Sequence, residues 1–492
     1  MLTIGTILSA LTRKSVANPL EISGGVVDSR FVKKNSLFVA IPGEKTDGHH
    51  YVSTAFAQGA AVALVQNPPP TEYPCLDVRN SEQLPSLEQL SKLTTPFCIW
   101  VDNTVSALQC VASYLRAEIA NLLVVGITGS VGKTTTKEVV AHTLASKTPT
   151  LFNAGNLNNE IGLPLTLLDL QKNQDFAVLE MGFYVPGEIQ LLCSIARPQI
   201  GIVTNIHPVH AERAGSLANI IKGKGELLES LPISPLGVAI LNADDMNVLG
   251  MVTRTKAQVI TFGTRIGADV RASKVLSHGL AGIEVQVDWD GKSLTAHLPF
   301  LGTHYAYAVC AAVATAWVCG FSASEIENGL SVAAQRANLR MKMKAGPHHS
   351  LVLDDTYNAS PPSMIAAIHV LAKTQAPVRW AVLGDMRELG TFEAEGHRQV
   401  GAVVPEHADR LITVGETARL IADEALLLGM NSQHVWVCDH YQQALTVLRN
   451  HLQPQDVVLV KGSRAMQLDL LAQELTQFES QERQPDDLTK HL

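Results

Sequence analysis

The chain has 492 residues, more than one ordinary core can hold, so two to four domains are expected. It is 46% hydrophobic and 17% charged, which excludes a disordered chain, and a net charge of −8 with no basic block argues against nucleic acid as a main partner. Seven scattered cysteines without a CxxC pair fit reduced thiols in a cytoplasmic protein.

The opening MLTIGTILSALTRK carries its basic residues after the apolar run, and no small-residue cleavage site follows, so it does not read as a signal peptide. Residues 26–65 alternate β-like runs with polar turns. SLFVAI (36–41) reads as a strand, PGEKTDGHH (42–50) as a loop, and STAFAQGAA (53–61) as a helix ending on glycine. DSR (28–30) reads from spacing alone as a turn with a surface arginine. PPPTEYP (68–74) and LPSLEQLSKLTTP (84–96) read as loops or short links. Residues 1–103 thus form a small α/β unit.

The next stretch organises the chain. NLLVVGIT (121–128) reads as a buried strand and TTTKEVVAHTLAS as a helix, with Gly129, Ser130, Val131, Gly132, Lys133 and Thr134 between them. Such a turn directs backbone N–H groups at an anion, where the helix dipole adds to the attraction. Lys133 is placed for the outer phosphates of a nucleotide and Thr134 for a hydroxyl on Mg²⁺, with Thr135 following. The general pattern GxxxxGK[ST] is broken only at its first position, where Ile127 stands.

Further strands, FAVLEM (176–181), QIGIVTNI (199–206) and GVAILNAD (237–244), alternate with helical patterns. A mostly parallel sheet follows, with ligands outside the carboxyl ends of its strands. Glu180 ends one strand; a carboxylate there, near a phosphate loop, suits Mg²⁺. His207 and His210 follow the next. Lys224, in the helical NIIKGKGELLESL, reads as a solvated charge. Residues 268–297 read as β-hairpins turning at Asp290–Gly291. YAYAVCAAVATAWVCG (305–320) is too short to span a membrane and reads as a packed core helix.

From about 335 the alternation resumes, with strands at LVLDD (351–355), RWAVLGD (379–385), RLITVG (410–415), HVWVC (434–438) and DVVLVKG (456–462). The fold expected is three α/β domains: 1–103, a central phosphate-loop domain 104–334 and a Rossmann-like parallel-sheet domain 335–478. A polar, flexible tail 479–492 ends the chain.

The pieces TGSVGKTT (128–135), LEMG (179–182), TNIHPVHAE (204–212) and KGKGE (222–226), in that order and spacing, resemble the Mur ligases. NAGNLNNEIGLPLTLL (153–168), DDTYNASPPSM (354–364), VLGDMRELG (382–390), KGSRAM (461–466) and DSRFVKKNSLFVAIPGEKTDGHHY (28–51) resemble the branch that joins D-alanyl-D-alanine to a UDP-N-acetylmuramoyl-tripeptide. The DNPR motif of the sister branch is absent. The resemblance implies an ATP-dependent, ADP-forming amide ligase of peptidoglycan precursor synthesis. ATP would phosphorylate the tripeptide carboxylate, and the dipeptide amine would attack the acyl phosphate.

By residue, the resemblance implies that Gly129 to Thr135, Asn156, Tyr305, Arg340 and Asp355 contact the nucleotide. Thr134, Glu180, His210 and a CO₂-carbamylated Lys224 would hold one or two Mg²⁺ ions. Lys133, His210, Lys224 and Arg340 would carry the catalysis. Asn158, Asn159, Tyr357 and Asn358 would line the peptide region, and Ser29, Arg30, Gly43, Asp47, Gly48 and His49 the UDP-sugar end. The chain would act in the cytoplasm as a monomer, its partners those two substrates. Where the family reads GRHNxxNA, this chain reads GTHYAYAV, with Tyr305 and Ala308 replacing two asparagines; Tyr305 would then stack on adenine. A folylpolyglutamate synthase would share the core, but no pteridine-binding feature is visible. A P-loop switch would need an NKxD-type motif, which is absent, and the set Lys133, Thr134, Glu180, His210 and Lys224 argues against an inactive scaffold.

Overall fold

In the computed structural model, which describes residues 1–80, 82, 84–209 and 211–482, three sheets are strung along the chain. His210 and most of the expected tail lie outside the described residues. The last helix, Leu468–Glu482, runs four residues into the stretch read as tail.

The first sheet is all parallel, in the order Gly25–Val26, Leu37–Val39, Val62–Val65, Phe97–Trp100, Cys75–Asp77. Its middle strands are buried throughout, as continuous apolar runs in a covered parallel sheet should be. The opening apolar run is the helix Ile4–Thr12, capped by the Thr3 side chain, which accepts from the Thr6 N–H. One buried cluster runs from that helix through Thr104–Ala117 to Leu163–Leu170 and Ile189–Ala196, joining the first sheet to the second. Part of the stretch read as a link, LPSLEQLSKLTTP, is the short helix Leu87–Ser91; its capping box, Ser86 with Gln89, is a helix start signal.

The second sheet has nine strands. From the edge inward, the order is Thr150–Phe152, Phe176–Glu180, Leu123–Thr128, Ile200–Val203, Val238–Asn242, Gln258–Gly263 and Val270–Ser277, all parallel. Ile283–Trp289 and Lys292–Leu298 then add an antiparallel hairpin, turning where Asp290–Gly291 predicts. The strand Leu123–Thr128 lies between Phe176–Glu180 and Ile200–Val203, with Ile127 opposite Glu180 and Thr128 opposite Val203. The loop after it is therefore flanked by the ends of two neighbours, at the point where the strand order reverses. The alanine-rich helix Tyr305–Val318 is a core helix, and among the described residues no helix is long and apolar enough to cross a membrane.

The third sheet runs Lys342–Ala345, Leu351–Asp354, Val457–Lys461, Arg379–Gly384, Arg410–Val414, Val435–Cys438, parallel except for the first pair. The chain is thus three α/β units with mostly parallel sheets. The short strands Thr150–Phe152 and Lys342–Ala345 escape a reading from periodicity because three or four residues hold barely one period of alternation.

Candidate active site

The turn after Leu123–Thr128 is built around two glycines. Gly129 has φ +149°, and a Cβ there would meet the Thr204 hydroxyl at 1.9 Å, so only glycine lets the strands' ends close up. Gly132, at φ +82°, starts the helix Lys133–Ala145 from the left-handed region. The neighbouring strand's end holds the turn. Ser130 N–H donates to the Asn205 carbonyl and Val131 N–H to Asn205 Oδ1, while Thr204 Oγ1 and Asn205 Nδ2 both donate to the Val131 carbonyl. The Ser130 hydroxyl donates to the His207 carbonyl and accepts from its N–H. Ser130 and Val131 thus commit their N–H groups to Asn205. The N–H groups that remain for an anion include those of the helix's first turn, which have no intrahelical partner. The Lys133 ammonium folds onto the Gly129 and Ser130 carbonyls at 2.9 and 3.2 Å.

Glu180 is 3% exposed and ends its strand beside that turn. Asn153 fixes its backbone on both sides, accepting from Glu180 N–H and donating to its carbonyl. Asn158 Nδ2 donates to Glu180 Oε1 at 2.9 Å, whereas Oε2 is buried without a hydrogen-bond partner. A buried carboxylate oxygen left bare suits a hard cation, so the donor set fits Mg²⁺. Among the described residues no three His, Cys, Asp or Glu side chains gather as a metal centre; Glu180 and the Thr134 hydroxyl are oxygen donors that line the cavity here.

Lys224 corrects the sequence reading of a solvated charge. It is 1% exposed, its ammonium donating to the Gly129 carbonyl at 2.9 Å and lying 4.9 Å from the centre of the Phe183 ring. Its flanking glycines explain how. A Cβ at Gly223 would overlap the Phe183 ring and one at Gly225 the Arg254 guanidinium, so both groups pack tightly on the helix Leu217–Glu229 and turn Lys224 inward. Burial, with Lys133 beside it and Glu180 opposing, holds the Lys224 ammonium well below its ordinary pKa. Lys133 is also lowered, chiefly by the surrounding protein, with Glu180 pulling it up and Arg340 down.

A cavity of about 850 Å³ opens from this turn to the third sheet. Arg340 reaches across from the linker before that sheet: its Nη2 donates to Thr134 Oγ1 at 2.8 Å and its guanidinium stacks 3.4 Å from the centre of the Tyr357 ring. Asp355 pairs with Lys461 at 2.6 Å, and Lys461 also donates to the Asn358 carbonyl. Lys461 is a cavity residue that the candidate set misses, although its signal matches that of Glu180: a buried strand ending on a charge. With Lys461 only 2% exposed, Asp355→Asn leaves its charge without a counterion and is expected to cost about 3–5 kcal/mol, read from urea unfolding. Adding Lys461→Met should recover most of that loss.

Tyr305 lines the same cavity but is largely covered. The residue is 3% exposed, with its ring 5.4 Å from the Phe300 ring and 4.5 Å from the His304 ring. A residue covered to that extent offers little face to a base, and His304 and Tyr307 line the cavity beside it. Tyr305→Leu is accordingly expected to leave ATP affinity unchanged in calorimetric titration. A loss of about 1–2 kcal/mol would reinstate stacking.

Asn156, Asn158, Asn159, Tyr357 and Asn358 all line the cavity. Asn158 is occupied with Glu180, and Asn159 Oδ1 accepts from the Gly162 N–H at the start of a short helix. The six N-terminal candidates do not reach this cavity; they follow the carboxyl ends of strands Gly25–Val26 and Leu37–Val39. There Arg30 pairs with Asp28 and stays exposed, and Ser29 is buried. The Asp47 carboxylate binds His49 Nδ1, while His49 Nε2 accepts from the Gln66 N–H. Gly43 donates its N–H to the Thr46 carbonyl, and a Cβ at Gly48 would collide with the Ile41 backbone.

Three family models match in chain order: the Mur ligase family, catalytic domain, over residues 21–112; the Mur ligase middle domain over 127–316; and the Mur ligase, glutamate ligase domain over 339–464. The UDP-N-acetylmuramoyl-tripeptide–D-alanyl-D-alanine ligase of Bacillus subtilis is 31% identical, covering 95% of this chain and 97% of its own. The Escherichia coli ligase of the same name is 33% identical over 90% and 91%. A crystal structure of MurF from Acinetobacter baumannii superposes with a TM-score of 0.80 at 30% identity, covering 96% of this chain and 98% of that one. Likeness sustained through all three sheets, at conserved length, makes the assignment plain: this chain belongs to the Mur ligase family.

Proposed function

We propose that the chain is an ATP-dependent, ADP-forming ligase that joins D-alanyl-D-alanine to UDP-N-acetylmuramoyl-tripeptide, a cytoplasmic step of peptidoglycan precursor synthesis, and that it works as a monomer. The observation that carries this reading is one cavity, between the second and third sheets, in which Lys133, Arg340 and the bare Glu180 oxygen converge. Forming an acyl phosphate brings two anions together, the γ-phosphate and a carboxylate. A site for that step needs fixed cations aimed at the transferring group and little competing water. Lys133 and the first-turn N–H groups hold the outer phosphates. Arg340, kept flat by Tyr357, faces the same spot from the opposite wall.

In this reading residues 1–103 hold the UDP-sugar, 104–334 the ATP and 335–478 the dipeptide. Thr134, Glu180, His210 and carbamylated Lys224 would hold Mg²⁺, which when bound neutralises the phosphate charge. The third sheet, carrying Asp355 and Tyr357, covers the cavity and keeps water from the acyl phosphate. The test is a substrate panel: UDP-N-acetylmuramoyl-tripeptides with ATP and D-alanyl-D-alanine, scored for phosphate and pentapeptide. Phosphate release that requires both peptide substrates is the expected result. Release indifferent to them would overturn the reading.

A further inference from the structure

The helix Lys133–Ala145 does more than present Lys133 and Thr134. One turn after Thr134, on the same face, stands Glu138. Its Oε2 accepts from the backbone N–H of Asn338 at 3.0 Å, across 200 residues of sequence. Asn338 lies in the short linker between the helix Ala323–Arg336 and the strand Lys342–Ala345, two residues before Arg340. Thr134 and Glu138 therefore meet Arg340 and Asn338 as two successive rungs between the phosphate-loop helix and the linker.

The Glu138 carboxylate is itself braced. Its Oε1 lies 2.9 Å from the ammonium of Lys137, which is wholly buried, and its Oε2 lies 3.6 Å from His142 Nε2. Lys137 donates in turn to the Asn153 carbonyl at 2.6 Å, and the Asn153 side chain is the one that clamps the Glu180 backbone. These partners hold Glu138 ionised, its pKa lowered to about 2 against the opposing effect of burial. A buried ionised carboxylate gripping a single linker N–H is a strong, geometrically fixed contact.

We propose that Glu138 is a positioning residue for the ligase reaction: it pins the linker at Asn338 and so holds the Arg340 guanidinium over the phosphate end of the cavity. The inference rests on the ligase reading of that cavity. Glu138 touches no substrate and acts through Arg340. Misplacing a cation that stabilises the transferring phosphoryl group slows the chemical step, while ATP stays held by the phosphate loop.

The experiment is a double-mutant cycle on the full chain, with Glu138→Ala and Arg340→Ala singly and together, assayed for pentapeptide and phosphate. Glu138→Ala is expected to lower kcat by about 10–100-fold, with KM for ATP within roughly threefold. In the Arg340→Ala background the same change should cost less than about twofold, because the residue it serves is gone. Should Glu138→Ala fail to fold, Asn338→Pro removes the rung from the other side. Asn338 is exposed at its side chain, and the Leu339 N–H bonds back to the Ala337 carbonyl, a tight turn whose central φ proline accommodates. Hydrogen exchange at the Asn338 amide checks the rung without any activity: it should be protected in the wild type and fast in Glu138→Ala. Additive losses, an effect on KM alone, or unchanged exchange would each overturn the proposal. A wild type that makes no pentapeptide but protects the Asn338 amide would instead count against the ligase reading.

Discussion

Lys133→Ala is expected to abolish turnover. Lys133 lies where the turn and the first helical turn face the cavity, and its ammonium sits on the Gly129 and Ser130 carbonyls, positioned to swing onto a phosphate. Removing one preorganised donor from a transferring group costs on the order of 10²–10³ in rate. In the proposed reaction the loss should be larger, because Lys133 and Arg340 both line the cavity and would face one phosphoryl group together. Thr134→Ala removes both the hydroxyl offered to Mg²⁺ and the acceptor of Arg340, so it should raise the Mg²⁺ requirement and lower kcat together. Phosphate release at saturating ATP and both peptides is the measurement. Near wild-type turnover in Lys133→Ala would remove the phosphate loop from the mechanism.

The second large effect belongs to Lys224, which we expect to work as a carbamate. A protonated amine beside Glu180 and Lys133 would repel a cation, since like charges a few Å apart in a partly buried site cost on the order of several kcal/mol. A carbamate offers the oxygen ligands Mg²⁺ prefers. Only the neutral amine reacts with CO₂, and burial with Lys133 nearby holds the Lys224 pKa well down, so neutral amine is present at lower pH than on a surface lysine. The sign follows: at a fixed concentration of dissolved CO₂, the carbamylated fraction rises steeply with pH up to that lowered pKa and less steeply above it, because forming the carbamate from the neutral amine also releases a proton. Stripping CO₂ should reduce activity and bicarbonate should restore it. Labelled bicarbonate should give a carbamate signal by carbon NMR that Lys224→Ala lacks. Lys224→Ala should fall by about 10²–10³, and acetate should return part of the rate by filling the vacated space. Lys224→Arg should stay inactive, for a guanidinium is not carbamylated and keeps the wrong charge. A fully active Lys224→Arg would make Lys224 a structural lysine.

The sequence alone determined the parts whose signals are local. The phosphate turn is legible because a buried strand, two glycines and GKTT lie within a dozen residues, and turn chemistry needs no distant partner. The alternation of strands and helices dictated parallel sheets, and Glu180 stood out as a charge ending an apolar strand. Only the tertiary structure decided the rest. Lys224 shares the buried stripe of its helix with Ile220, Leu227 and Leu228, but that Phe183 and Arg254 pack against Gly223 and Gly225 on either side of it is a long-range contact that periodicity does not show. Tyr305 is largely covered because Phe300 and His304 flank it, which leaves little face on the ring that the resemblance to the family offered for stacking. Asp47 and His49 lock a loop to the Gln66 backbone. The grip of Glu138 on Asn338 joins residues 200 apart, where the sequence shows only a charge pair on a helix. Period and turn chemistry are written along the chain; burial and charge pairing depend on which segments the fold brings face to face.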